Sequence, residues 1–187
     1  MDAVYLLAQH FHTPKAFAII LDHSRTVAEF ALELAFSIPH LKPDCTFIEE
    51  AALLHDIGVC QTAAQDIDCH GQHHYLCHGI IGAEIVRSVG YARHARVCEC
   101  HIGVGLTVSD IISQSLPLPQ RDMVPQSIDE IIISLADLYY SKRLSSLRER
   151  KSTGAVRNSL ARFGADKLET FERWLEIFPR SSALFTS

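Results

Sequence analysis

Apolar residues recur at helical spacing along most of this chain. Between Thr13-Pro14 and about Ser37 they fall at Phe17, Ile20, Leu21, Val27, Phe30, Ala31 and Leu34, the three-and-four rhythm that gathers them on one face of a helix. Thr13 offers an N-cap oxygen, and Pro14 suits a first helical position because no amide hydrogen is needed there. Pro39 and Pro43 break the pattern. Thr46-Phe47-Ile48-Glu49 has the form of a capping box. It predicts a helix that carries Ala52, Leu53 and His55 and ends near Gly58.

The stretch 59–76 is polar and rich in His, Cys and Asp, and reads as a loop. The pattern then predicts a helix from roughly Cys77 to Val89, stopped by Gly90, and another from about Tyr91 to His101. Gly105, Pro117, Pro119 and Pro125 make 103–126 a long connection with about one turn of helix; loops of that length in compact domains are usually functional or mobile. Ser127-Ile128-Asp129-Glu130 is a second capping box, opening an apolar helix through Leu135, Leu138 and Tyr139. Two more helices are expected over 153–163 and 165–178. No strand alternation is sustained, so the expected fold is all-α, one domain over residues 1–187.

Composition narrows the class. The 187 residues, 48% hydrophobic and 21% charged, suit a globular chain with one sizeable core. A formal charge of -5 argues against stable nucleic-acid binding, which usually needs a basic face. It leaves room for a small anionic substrate, because a bound metal supplies positive charge locally. Met1-Asp2-Ala3-Val4-Tyr5 has no basic stretch ahead of an apolar one, so no signal peptide is expected. The apolar block Ala16 to Leu21 stops at Asp22, far short of the roughly 20 residues that cross a bilayer. A cytoplasmic protein with no membrane partner is the expectation. Of the six cysteines none forms Cys-x-x-Cys, and Cys98-Glu99-Cys100-His101 has no second pair at zinc-finger spacing. Free, partly buried thiols are expected.

The chemistry centres on Leu53-Leu54-His55-Asp56-Ile57-Gly58. His55 offers a neutral nitrogen and Asp56 a hard oxygen, a pairing that suits a divalent cation able to activate water. His23, His78, His101 and Asp137 lie on other predicted helices, and helical bundles build metal sites from side chains that converge from facing helices. His23 shares its helix with Val27 and Phe30 and so faces inward. Asp137 sits in the apolar run Ser134-Leu135-Ala136-Asp137-Leu138-Tyr139, where a lone carboxylate is expensive without a metal or cationic partner. Each residue also has a plain alternative: a satisfied buried histidine, a buried ion-pair member, or a helix cap.

The ordered set of His23, Leu54-His55-Asp56-Ile57-Gly58, His78-Gly79-Ile80-Ile81-Gly82-Ala83, Glu99-Cys100-His101 and Ala136-Asp137 resembles the HD-domain superfamily of metal-dependent phosphohydrolases, over roughly residues 20–145. The small stand-alone HDIG-type proteins look most similar. The resemblance implies a helical bundle of the HD type, with the helices over 153–178 packed on it. It implies a metal held by His23, His55, Asp56 and Asp137, and in the six-ligand subset a second metal on His78 and His101, with Asp56 bridging the two and orienting the nucleophile. One or two divalent ions (Mn, Fe, Zn or Ni, with Mg suited less well) are the implied cofactors. The implied substrate is a small phosphorylated molecule such as a nucleotide. The same ligands also fit a non-catalytic nucleotide-binding module or a di-iron oxygenase. Gly-Tyr-Pro, the mark of one cyclic-dinucleotide subset, does not occur.

Lys142 follows Asp137 by just over one turn. It is a candidate phosphate contact, against the commoner case of a Lys-Arg pair on an exposed helix face. Asp66, Asp68, His70, His73 and His74 are extra loop residues that could line a pocket. His10, His12, His40 and His94 read as surface or cap residues. Phe171, Trp174 and Phe178 read as core or homodimer packing.

Overall fold

A computed structural model describes residues 2–179 and 183–185. Among the described residues the regular structure is helical, apart from a two-stranded antiparallel ribbon, β1 (Ala63–Ala64) and β2 (Cys69–His70). Its helices are α1 (Ala3–His10), α2 (Pro14–Ser37), α3 (Cys45–Leu54), α4 (His78–Ser88), α5 (Ala92–Cys100), α6 (Val108–Ser113), α7 (Ile128–Leu138), α8 (Thr153–Leu160) and α9 (Ala165–Leu175). The all-α expectation holds. Among the described residues, no helix is long and apolar enough to cross a membrane.

Local chemistry explains most boundaries. Thr13 caps α2 by accepting from the amide of Ala16 at 3.1 Å. Ser127 and Glu130 form the expected reciprocal box at the start of α7, each side chain accepting from the other's amide at 3.2 Å. The start of α3 differs from expectation: Asp44, not Thr46, is the N-cap, and its carboxylate accepts from Phe47 N at 3.1 Å. The reason is long-range. Arg93 bridges Asp44 and Asp129 at 2.6 Å each, and Asp44 N donates to Asp129 Oδ1 at 3.0 Å, so the entry to α3 is fixed from α5 and α7. The connection 103–126 is also more ordered than its composition suggests. It holds α6, opened by a capping box between Thr107 and Asp110, and a bridge between Leu106 and Met123.

Two apolar clusters fill the interior. One gathers α2, α3, α7 and the C-terminal helices around Phe30, Leu34, Ile48, Tyr139 and Phe171. The other gathers α1, the first turns of α2, and α4 around Leu7, Ile20, Ile57 and Val86. Phe171, Trp174 and Phe178 are buried within the chain itself, which accounts for their apolar character through core packing. At roughly 25 cal/mol per Å² of apolar surface, burial of such aromatics contributes several kcal/mol to folding.

His94 departs from its surface assignment. It is buried, stacks edge-on against Phe47 with centroids 4.8 Å apart, and pairs with Glu50 at 3.1 Å. On α5 it lies on the face turned toward α3, a side that the polar run around it does not disclose.

Candidate metal centre

His23, His55, Asp56, His78, His101 and Asp137 come from five helices and their ends, and they meet in one place. His23 projects from the middle of α2, one turn from the core residues Ile20 and Val27. His55 and Asp56 follow directly on α3, which stops at Leu54 and so ends short of the expected Gly58. A tight 3-10 turn over Ile57–Gln61 takes over. Gly58 explains the switch: a Cβ there would sit 2.1 Å from His78 O and 2.4 Å from Gly82 N. Only a glycine lets the first turn of α4, which carries His78, close on Asp56.

The donor atoms fall into two sets that share Asp56. Those of His23, His55, Asp56 and Asp137 lie within 4.8 Å of one another, and so do those of Asp56, His78 and His101. Asp56 Oδ2 is 3.3 Å from His23 Nε2 and 3.1 Å from His55 Nε2. Its other oxygen, Oδ1, is 3.4 Å from His78 Nε2 and 3.6 Å from His101 Nε2. Asp137 Oδ1 completes the first set, 3.0 Å from His23 Nε2 and 3.5 Å from His55 Nε2.

Three imidazoles are aimed by one local device. The Nδ1 of His55 donates to Ala52 O at 2.6 Å, that of His78 to Tyr75 O at 2.7 Å, and that of His101 to Cys98 O at 2.8 Å. A carbonyl can only accept, so Nδ1 carries the proton and Nε2 is turned toward the centre as the ligating atom. Among the described residues, His55 Nε2 and both oxygens of Asp56 are buried without a hydrogen bond of proper geometry. Buried polar atoms normally have partners. Orphaned atoms of His55 and Asp56, at the point where imidazoles and carboxylates from several helices converge, are what a divalent cation fits, and mixed imidazole and carboxylate donors suit Mn, Fe, Zn or Ni.

Lys142 belongs to this cluster. α7 ends at Leu138, the chain turns, and Lys142 Nζ comes to 2.7 Å from Asp56 Oδ2. An exposed helix-face placement is therefore corrected: the side chain is mostly buried at the centre. Burial opposes charge on Asp56, but His55 and Lys142 outweigh it and hold the carboxyl well below its ordinary range. Burial likewise disfavours an ionised Asp137, and Lys142, His23 and His55 overcome it. For His55, burial works against the imidazolium, yet Asp56 and Asp137 push it up to about 10. His78 goes the other way, down to about 3, through burial and the nearby His101 and Lys142.

Tyr75 was not legible as a site residue inside a polar loop. Its ring packs on His78 with centroids 4.9 Å apart, and its carbonyl orients that histidine. Burial raises its phenol to about 12. Asp66, Asp68, His70, His73 and His74 do not join the six. His70 pairs with Asp68 on the surface at 3.3 Å, and His74 caps a 3-10 turn by accepting from Leu76 N at 3.2 Å. All six cysteines are free thiols. Burial raises the Cys98 thiol, which donates to Leu54 O at 3.4 Å.

Fold and site together define a helical domain with a histidine-aspartate metal centre. The HD domain family matches residues 20–141, and the chain belongs to that family. Among its relatives, the uncharacterized protein MJ0778 of Methanocaldococcus jannaschii is 34% identical over 130 residues, 67% of this chain and 69% of that protein. A tRNA (cytidine(56)-2'-O)-methyltransferase of Picrophilus torridus is 35% identical over 133 residues, 70% of this chain and 34% of that protein. Its counterpart in Thermoplasma volcanium is 32% identical over 128 residues, 67% of this chain and 33% of that protein. The chain thus spans about a third of the length of these two methyltransferases. No solved structure gives a significant match.

Proposed function

We propose that this chain is a metal-dependent phosphohydrolase that cleaves a phosphate ester or anhydride of a nucleotide or similar small molecule with activated water. The observation that carries the reading is the division of Asp56, whose Oδ2 faces one ligand set and Oδ1 the other. Divalent ions at such a centre polarise phosphoryl oxygens and lower the pKa of bound water. Asp56 accepts a hydrogen bond from the attacking water and fixes its direction. Lys142, in the same cluster, donates to a non-bridging phosphate oxygen as negative charge builds. The buried walls around His23, His55 and Asp56 keep bulk water from competing for these contacts.

The names of two relatives point to tRNA. The formal charge of -5 argues against carrying that substrate over to this chain. The test is phosphate release from a panel of nucleotides and other phosphate esters, run separately with Mn, Fe, Zn, Ni and Mg. Release by wild type that disappears in Asp56→Ala supports the reading. Equal rates in wild type and Asp56→Ala, or metal-loaded protein with no release from any ester, would reject it.

A further inference from the structure

Tyr75 is fixed against the metal centre by two local contacts. His74 starts a 3-10 turn over Tyr75–Cys77 by accepting from Leu76 N at 3.2 Å, and α4 begins at His78. Three residues make one turn of that geometry, so Tyr75 and His78 share a side. The Tyr75 carbonyl accepts from His78 Nδ1 at 2.7 Å, and its ring packs on the imidazole with centroids 4.9 Å apart. Main chain and ring together hold the phenol in place. Tyr75 and Lys142 both line a groove of about 890 Å³ between residues 63–67 and 141–145.

Lys142 needs a fixed neighbour. It lies past the end of α7 in the irregular run 140–143, and its ammonium sits on a flexible four-carbon stem. Asp56 Oδ2 draws it inward at 2.7 Å. Burial disfavours its charge, and Asp56, Tyr75 and Asp137 overcome that and hold it charged. The Tyr75 phenol faces the same ammonium. Burial, the larger effect, raises the phenol to about 12, while the charge of Lys142 and hydrogen bonding to it pull the other way. The phenol is therefore neutral near pH 7 and has a lone pair to offer. An ammonium has three hydrogens and no lone pair. Two of them suit Asp56 and the phenol oxygen, and the third suits a phosphate oxygen.

We infer that Tyr75 is a positioning residue: its phenol oxygen accepts from the Lys142 ammonium and aims it at the phosphate. Tyr75 acts on the reaction through Lys142 and not on the substrate. This deepens the phosphohydrolase reading and rests on it for the phosphate, whereas the contact between Tyr75 and Lys142 does not depend on it.

The test compares the full chain as wild type, Tyr75→Phe, Lys142→Ala and the double variant. Tyr75→Phe keeps the ring on His78 and the carbonyl that orients it, so melting temperature and Mn²⁺ content should match wild type. With chelator present, reductive methylation read by peptide mass spectrometry should modify Lys142 severalfold faster in Tyr75→Phe, with the exposed Lys42 as reference. With Mn²⁺ and 4-nitrophenyl phosphate, kcat should fall about tenfold with little change in KM. The same substitution should cost nothing further in the Lys142→Ala background. An unchanged labelling rate, or an equal loss of kcat in both backgrounds, would overturn the inference. So would loss of a bound ion in Tyr75→Phe, which would make the hydroxyl a support of the ligand set instead. Wild type without turnover removes the phosphate step, and the labelling rate alone then decides whether Tyr75 holds Lys142.

Discussion

His78 and His101 face each other through their Nε2 atoms at 3.1 Å. Each ring donates its Nδ1 hydrogen to a backbone carbonyl, Tyr75 O for one and Cys98 O for the other. Neutral imidazoles fixed in that way present two lone pairs to each other, and lone pairs at this separation repel. A shared cation turns the repulsion into ligation, and Asp56 Oδ1, 3.4 Å from one and 3.6 Å from the other, is placed to complete the set.

Metal content should therefore be two ions per chain in wild type and one in His78→Ala. Elemental analysis of protein equilibrated with excess Mn²⁺ and then desalted measures this. A His78→Ala chain that retains two ions would show that this pair is not a ligand set.

Metal affinity should rise with pH. His55 is held up to about 10 by Asp56 and Asp137, although burial alone would push it down from 6.5. Its imidazolium must lose the Nε2 proton before that nitrogen can ligate. The charged form stabilises the fold fully below about 6.5, and that contribution fades as pH rises toward about 10. Bound metal takes over the same role in the same window. The gain in melting temperature from Mn²⁺ over chelator should thus be larger at about pH 9 than at about pH 6. His78, already down at about 3, adds no such dependence. A gain that is flat or falls with pH would contradict the proton competition.

The six candidate ligands are legible in the sequence because each sits at a helix end or on an apolar face, where spacing shows the direction of the side chain. What is not legible depends on contacts between distant segments. Asp44 takes the cap of α3 because Arg93 and Asp129 hold it there. Lys142 reaches Asp56 only because α7 stops at Leu138, and the stop is held by Lys151, whose Nζ donates to Leu138 O at 3.0 Å and Tyr140 O at 2.7 Å. Lys151 is 13 residues away from the first of these carbonyls, beyond any local pattern. The short α1 and α6 likewise owe their stability to packing, since isolated helices of that length are marginal in water.

Gly58→Ala should damage both stability and the second ligand set. The added Cβ would lie 2.1 Å from His78 O and 2.4 Å from Gly82 N, both backbone atoms that cannot swing aside. α4 must shift outward and take His78 with it. A cost of about 3 kcal/mol is expected, a drop in melting temperature of roughly 10 °C, together with loss of one bound ion. A variant with unchanged melting temperature and metal content would mean that α4 does not rest on this glycine.

Lys142→Ala should separate catalysis from metal binding. Lys142 Nζ is 2.7 Å from Asp56 Oδ2, yet an ammonium has no lone pair and cannot ligate a cation. Its removal takes a positive charge away from the two carboxylates, so metal should bind at least as tightly as in wild type. The lost donor acts on the phosphate as charge develops, and such donors are worth about 10²–10³ in kcat. The expected pattern is therefore retained or stronger metal binding with kcat/KM lower by about that factor, and only partial recovery in Lys142→Arg, whose broader guanidinium cannot occupy the same buried point. Loss of metal in Lys142→Ala would instead assign this residue to holding the centre together.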